Sequence, residues 1–134
     1  MIKDILDREG NVIGFVNTVR NDIMYQVYGD SCGVEMYDNL SLSDFSGKNL
    51  ENADFHGMDL FSADFRYCNL KGADFRGANV GEAHFYDANL ENADFRGADL
   101  SGTMYEKDAE ERKIIYDKTT KFRKHHTRRY PSWM

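Results

Sequence analysis

The sequence predicts an all-β solenoid: a parallel β-helix, four-sided in cross-section and about three coils long. Three observations predict it. First, a bulky apolar residue falls at every fifth position from Leu40 to Leu100 without a miss: Leu40, Phe45, Leu50, Phe55, Leu60, Phe65, Leu70, Phe75, Val80, Phe85, Leu90, Phe95 and Leu100. Second, a period of five suits neither regular element. On a helix five residues advance about 140° past a full turn, so no apolar stripe forms. On a continuous strand an odd period sends successive residues to opposite faces. The chain must turn a corner once per repeat. Third, NLENADFHG at 49–57 returns as NLKGADFRG at 69–77 and NLENADFRG at 89–97. That spacing makes one coil out of four units.

The elements follow in chain order. Ile2 to Leu6 and Val12 to Val16 are short apolar runs around Arg8-Glu9-Gly10-Asn11, a hairpin signal. Ile23, Tyr25 and Val27 alternate and predict a third strand. Residues 1–37 are expected to form a small β cap over the N-terminal end, because an open solenoid end leaves unpaired backbone.

Residues 38–105 are the repeats. Two positions before each bulky centre stands a small residue (Ala53, Ala63, Cys68 and Ala73 among them), and both should point inward. The residue between them is Asp or Asn in twelve of thirteen units, His84 being the exception, and is expected to face out. Asp and Asn bond to nearby backbone and tolerate turns. The last two residues of each unit make the corner, where Gly47, Gly57, Gly72, Gly77, Gly97 and Gly102 fall. Stacking at about 4.8 Å would place Phe55, Phe75 and Phe95 in one ring column and Phe45, Phe65 and Phe85 in another. Asn49, Asn69 and Asn89 would form an amide ladder. Asp38, Ser43, Lys48 and Met58 replace the small inward residue, so the first coil is expected to be irregular.

The units ADFRG, ANLEN and ADLSG resemble the A(D/N)LXX repeat of the pentapeptide-repeat proteins. The resemblance covers residues 38–105. It implies a right-handed quadrilateral β-helix, a hand that the general rule for parallel crossovers also favours.

Residues 106–134 differ in character. Asp108 to Tyr116 has helix formers with acids early and bases later, which predicts a short helix. YDKTTKF at 116–122 resembles a closing segment common after the last coil in that family. Ile114, Ile115, Tyr116 and Phe122 are the expected plug. The basic tail carries Lys118, Lys121, Arg123, Lys124, Arg128 and Arg129. It reads as a solvated tail, a nucleic-acid contact, or a clamp on an acidic surface. The whole is expected to be one structural domain.

Charge and cysteine bound the function. The net charge of −6 divides into −10 over residues 1–105 and +4 over 106–134. No apolar run approaches the ~20 residues of a membrane span, and the first ten residues lack the apolar stretch of a secretory signal. Cys32 and Cys68 make no disulfide framework. These features suit a reducing cytoplasm, and no membrane association is expected.

No zinc spacing, phosphate-binding glycine loop or nucleophile motif is present, so no cofactor or metal is expected and the chain is not read as an enzyme. Asp64 and His84 fall at the same position of successive coils, but on a convex surface where a base has no pocket. His125 and His126 lack a third ligand. The charge instead gathers on two adjacent faces. One carries Asp38, Asp59, Glu82 and Asp99; the next carries Asp44, Asp64 and Asp87 beside Arg66. Phe61, Tyr67 and Tyr86 stand among them.

That composition suits a non-catalytic protein–protein interaction module. The alternative comes from the resemblance: family members linked to quinolone resistance imitate duplex DNA and bind gyrase-type topoisomerases. About three coils span ~16 Å, against ~34 Å for one DNA turn. A mimic would therefore need to be a homodimer, joined through the C-terminal segment. Direct nucleic-acid binding is expected only through the basic tail.

Overall fold

The computed structural model describes residues 2–17 and 40–124. Strands β1 (Ile2–Leu6) and β2 (Val12–Asn17) pair antiparallel, with a register irregularity between Ile5 and Leu6. Asp7 organises their turn. Its carboxylate accepts the Glu9 and Asn11 amides, both at 2.9 Å, and the Asn11 side-chain amide at 3.1 Å. These bonds, led by that from the Asn11 backbone, hold the Asp7 carboxyl below its ordinary range.

The hairpin docks on the free lower edge of the first coil. Asp54 donates its amide to the Leu6 carbonyl at 2.8 Å, and Arg8 donates to Asn52 at 3.1 Å. On the next coil the matching Asp74 amide goes to Ala53. Leu6 thus takes the place that a lower rung would fill, and Ile5 is buried in the common core. The expected third strand at Ile23, Tyr25 and Val27 lies outside the described residues.

Residues twenty apart are neighbours. Parallel bridges join Asp44 to Asp64 to His84, Asn49 to Asn69 to Asn89, Asp54 to Asp74 to Asp94, and Asp59 to Asn79 to Asp99. Each corner is a four-residue turn closed by a bond such as Ala53 N–H to Leu50 C=O at 3.0 Å. All thirteen corners carry positive φ at their third residue. That conformation favours glycine, which explains the glycines there. Seven corners nevertheless hold side chains: Leu42, Asn52, Ser62, Tyr67, Glu82, Asp87 and Asn92.

The Asp/Asn preference has a direct cause. The side-chain oxygen of the residue before each centre accepts the amide two positions later, as in Ser46 to Asp44 (2.9 Å), Glu91 to Asn89 (3.1 Å) and Ser101 to Asp99 (2.9 Å). This pins the corner from outside while backbone bonds pin it from inside.

Two expectations are corrected here. The residue before the centre does not always face out: Asp74 and Asp94 are each only 3% exposed. Arg76 and Arg96 fold over them as paired hydrogen-bond donors. Nor is the first coil irregular over residues 40–59. Leu40, Phe45, Leu50 and Phe55 bond to the second coil at 2.7–2.8 Å, Ser43 is buried, and Met58 packs on the core. Asp38 lies outside the described residues.

The core is two ring columns faced by two aliphatic ones. Phe45, Phe65 and Phe85 stack at 4.7 and 5.2 Å, and Phe55, Phe75 and Phe95 at 5.2 and 4.7 Å. Rings of different columns meet edge to face at 5.5–5.9 Å. Both geometries suit the aromatic quadrupole. In the amide ladder, Asn69 donates its side-chain amide to Asn49 at 3.1 Å.

The C-terminal segment covers the upper end with less regular parts. β3 (Asp99–Leu100) pairs parallel with β4 (Lys121–Phe122), and Ile115 pairs with Asp94. Helix α1 spans Glu106–Glu111, starting and ending earlier than expected from the charge pattern. The Tyr105 amide bonds the Asp108 carboxylate at 3.2 Å, which fixes the helix start before residue 108. Ala109 is fully buried and Met104 nearly so, and Tyr116 packs edge to face on Phe122 at 5.3 Å. Ile115 is corrected as a plug residue: its backbone makes the bridge and its side chain is exposed. Side chains from this segment accept the duty of missing backbone. Arg112 donates to the Phe85 and Ala88 carbonyls at 2.7 and 3.0 Å, Thr120 to Phe95 at 2.9 Å, and Thr103 to Val80 at 2.7 Å.

Candidate functional site

The acidic aromatic edge forms at the corners before and after the Phe45–Phe65–Phe85 column. Tyr67 is 59% exposed and Tyr86 65%, and their rings meet edge to face at 5.8 Å. Both follow a centre directly or by two residues, so the corner turn aims them outward. Tyr67 is held at φ +62°, a conformation costing a side chain about 1–2 kcal/mol. Phe61 is half exposed, and its ring covers Gly81 so closely that a Cβ there would meet it at 3.2 Å. Phe61 therefore shields backbone as well as facing solvent.

Asp44, Glu82 and Asp87 are exposed; Asp59, Asp64 and Asp99 are partly buried. Asp64 is not a free charge. Arg66 donates Nε to Oδ1 at 2.9 Å and a terminal nitrogen to Oδ2 at 2.7 Å. These bonds lower the Asp64 carboxyl from its ordinary value. Burial pushes the Asp74 and Asp94 carboxyls up, yet the Arg76 and Arg96 hydrogen bonds outweigh it and leave both lowered.

The surface beside His84 is not simply convex. A cleft of about 870 Å³ adjoins it, lined by Arg66, Glu82, Tyr86, Arg112 and Lys124 among others. The sequence carries no signal for this hollow, because one wall comes from the aperiodic segment after residue 105. Asp64 and His84 are bridge neighbours. Both Asp64 oxygens accept from Arg66, and among the described residues no side-chain hydrogen bond joins Asp64 to His84.

Among the described residues, Asp54, His56 and Asp74 bring potential metal-ligand atoms within 4.8 Å of one another. Asp54 hydrogen-bonds His56, which raises the His56 pKa, and Asp74 is engaged by Arg76. The cluster is satisfied internally. Lys118, Lys121, Arg123 and Lys124 of the basic tail are exposed, with Arg123 over the Tyr105 ring at 5.2 Å. Arg128 and Arg129 lie outside the described residues, as do Cys32, His125 and His126. Cys68 is a buried free thiol, raised in pKa by burial, which donates to the Phe45 carbonyl.

The fold and surface define a class: a solenoid whose sequence period is its structural rung. The family model for pentapeptide repeats matches residues 39–77 and 68–103 in eight copies, and through these repeats the chain belongs to the pentapeptide-repeat family. Membership brings the family's right-handed β-helix solenoid.

Three solved structures are similar. A pentapeptide-repeat protein from the thylakoid lumen of Arabidopsis thaliana shares 28% identity over 63% of this chain and 58% of its own, with a TM-score of 0.48. One from the cyanobacterium Cyanothece 51142 shares 28% identity over 63% of this chain and 60% of its own, at 0.30. One from Nostoc Pcc 7120 shares 22% over 75% of this chain and 96% of its own, at 0.25. The chain thus spans under two thirds of the length of the first two. No curated protein matches the chain. No helix among the described residues is long and apolar enough to cross a membrane.

Proposed function

We propose that this chain is a non-catalytic protein-binding module, working through the edge that carries Phe61, Tyr67 and Tyr86 beside Asp44, Asp59, Glu82 and Asp87. One observation carries the reading: an exposed tyrosine stands at a strained corner where glycine would be at ease. Strain at an exposed side chain is a pointer to use. Exposed aromatics are also the commonest anchors of protein interfaces. The compartment proposed with it is the cytoplasm.

The test is affinity capture by the wild type beside a Phe61→Ala, Tyr67→Gly variant. Glycine relieves the corner, so the variant stays folded. A partner lost from the variant supports the edge; identical catches sink it. Imitation of duplex DNA is the weaker reading. Asp64, Asp74 and Asp94 are each neutralised by an arginine, so their columns offer few lone phosphate-like charges. A dimer that inhibits gyrase supercoiling would reverse that order.

A further inference from the structure

Every complete rung on the Phe45–Phe65–Phe85 face makes the same three bonds to the rung above. For the middle rung they are Phe65 N–H to His84 C=O (2.8 Å), Tyr67 N–H to Tyr86 C=O (2.9 Å), and His84 N–H to Ala63 C=O (2.9 Å). Elsewhere the top rung is closed in part, with the Leu90 and Gly97 amides left without a backbone partner among the described residues. Residues 113–115 pair above Asn92–Phe95, β4 pairs above β3, and Arg112 reaches the Ala88 carbonyl. Above His84 none of the three bonds is made among the described residues. Among the described residues, the Phe85 and Asp87 amides and the Ala83 carbonyl have no backbone partner. The chain leaves this face at Tyr105 to enter α1, so the described residues add no fourth rung there.

This open edge borders the 870 Å³ cleft, whose lining includes Ala83, His84, Phe85 and Tyr86. Among the buried apolar repeat residues Ala83 and Phe85 are the most exposed, at 5% and 4%, where their counterparts one coil below, Ala63 and Phe65, are at 0%. The other walls are mostly cationic. Arg112, Arg123 and Lys124 line the cleft with one acid, Glu82; Arg66 is matched by Asp64, and Asp87 and Asp108 lie near Arg112. An unpaired edge is a template for a further strand, and its main-chain bonds supply affinity while flanking side chains select the partner.

We propose that the edge at Ala83–Asp87 accepts an extended acidic segment of a partner protein as one more β-rung. The segment's carbonyls take the Phe85 and Asp87 amides, its amide meets the Ala83 carbonyl, and its carboxylates face Arg112, Arg123 and Lys124. This goes beyond the proposed function: it shares Glu82, Tyr86 and Asp87 with that edge, but it rests on backbone groups and does not need Phe61 or Tyr67.

The probe is a labelled octapeptide alternating Glu and Thr, titrated into the full chain by fluorescence anisotropy. Amide hydrogen exchange is read at Phe85 and Asp87. In the free protein these two amides should exchange at least tenfold faster than Phe65 and Tyr67. The peptide should slow them by a similar factor. Backbone N-methylation of the peptide, or Lys124→Glu with Arg123→Glu, should weaken binding at least tenfold. The Phe61→Ala, Tyr67→Gly variant should bind the peptide like wild type, which separates this result from the edge described above. Overturning outcomes are amides already protected in the free chain, no binding, binding without protection, or equal binding of the N-methylated peptide.

Discussion

Tyr67 and Asp94 show how much one side chain decides in a repeat this short. Positive φ at a corner costs an ordinary side chain about 1–2 kcal/mol, less the entropy that glycine loses on folding. Leu42→Gly should therefore raise stability by a few tenths to about 1 kcal/mol in chemical denaturation. Gly77→Ala should lower it by about 1 kcal/mol, although a Cβ there meets nothing within 4 Å. Equal stability of both variants with wild type would show that corner conformation is not what selects glycine.

At Asp94 two roles share one carboxylate: it holds the corner amide and it pairs with Arg96. Asn keeps the first role and loses the second. Asp94→Ala should cost about 2–3 kcal/mol and Asp94→Asn about half that. Because the folded Asp94 carboxyl lies below its unfolded value, its contribution is complete above an unfolded pKa of about 4 and disappears as pH falls through the folded value. Urea midpoints from pH 7 down to 2 should fall less steeply for Asp94→Asn than for wild type. Parallel slopes would contradict the pairing.

At the level of elements, the repeats and their ends obey different rules. The inward columns and the coil period were legible because every unit repeats one pattern of side-chain direction. Leu40 to Leu100 fall in buried positions, as that pattern requires. The burial of Asp74 and Asp94 was not legible, because it depends on which way an arginine folds two residues later. The helix start and the exposure of Ile115 were not legible either: residues 106–124 have no period, and their positions follow from carbonyls that need donors. The acidic aromatic residues were readable as outward, whereas the cleft beside His84 needs the tertiary return of residues 121–124. Arg112 shows the consequence. Arg112→Met keeps the volume but leaves the Ala88 carbonyl without its guanidinium donor and the Phe85 carbonyl with the Ala88 amide alone, a loss of about 1–3 kcal/mol. Thermal melts of this variant should drop by several degrees; an unchanged melt would mean that water replaces the guanidinium.

For the molecule as a whole, one geometric fact supports both functional readings: position n lies under position n + 20. It sets the charge of each face and the open edge above His84, and it brings the corners of Tyr67 and Tyr86 onto successive coils. Disulfide trapping tests it directly. In a Cys32→Ser, Cys68→Ala background, Asn49→Cys with Asn69→Cys places two thiols on bridged neighbours whose amides now touch at 3.1 Å. Mild oxidation should cross-link that pair within one chain and leave Asn49→Cys with Asp64→Cys unlinked. Efficient linking of the 49–64 pair, or failure of the 49–69 pair in a folded chain, would contradict the four-sided coil.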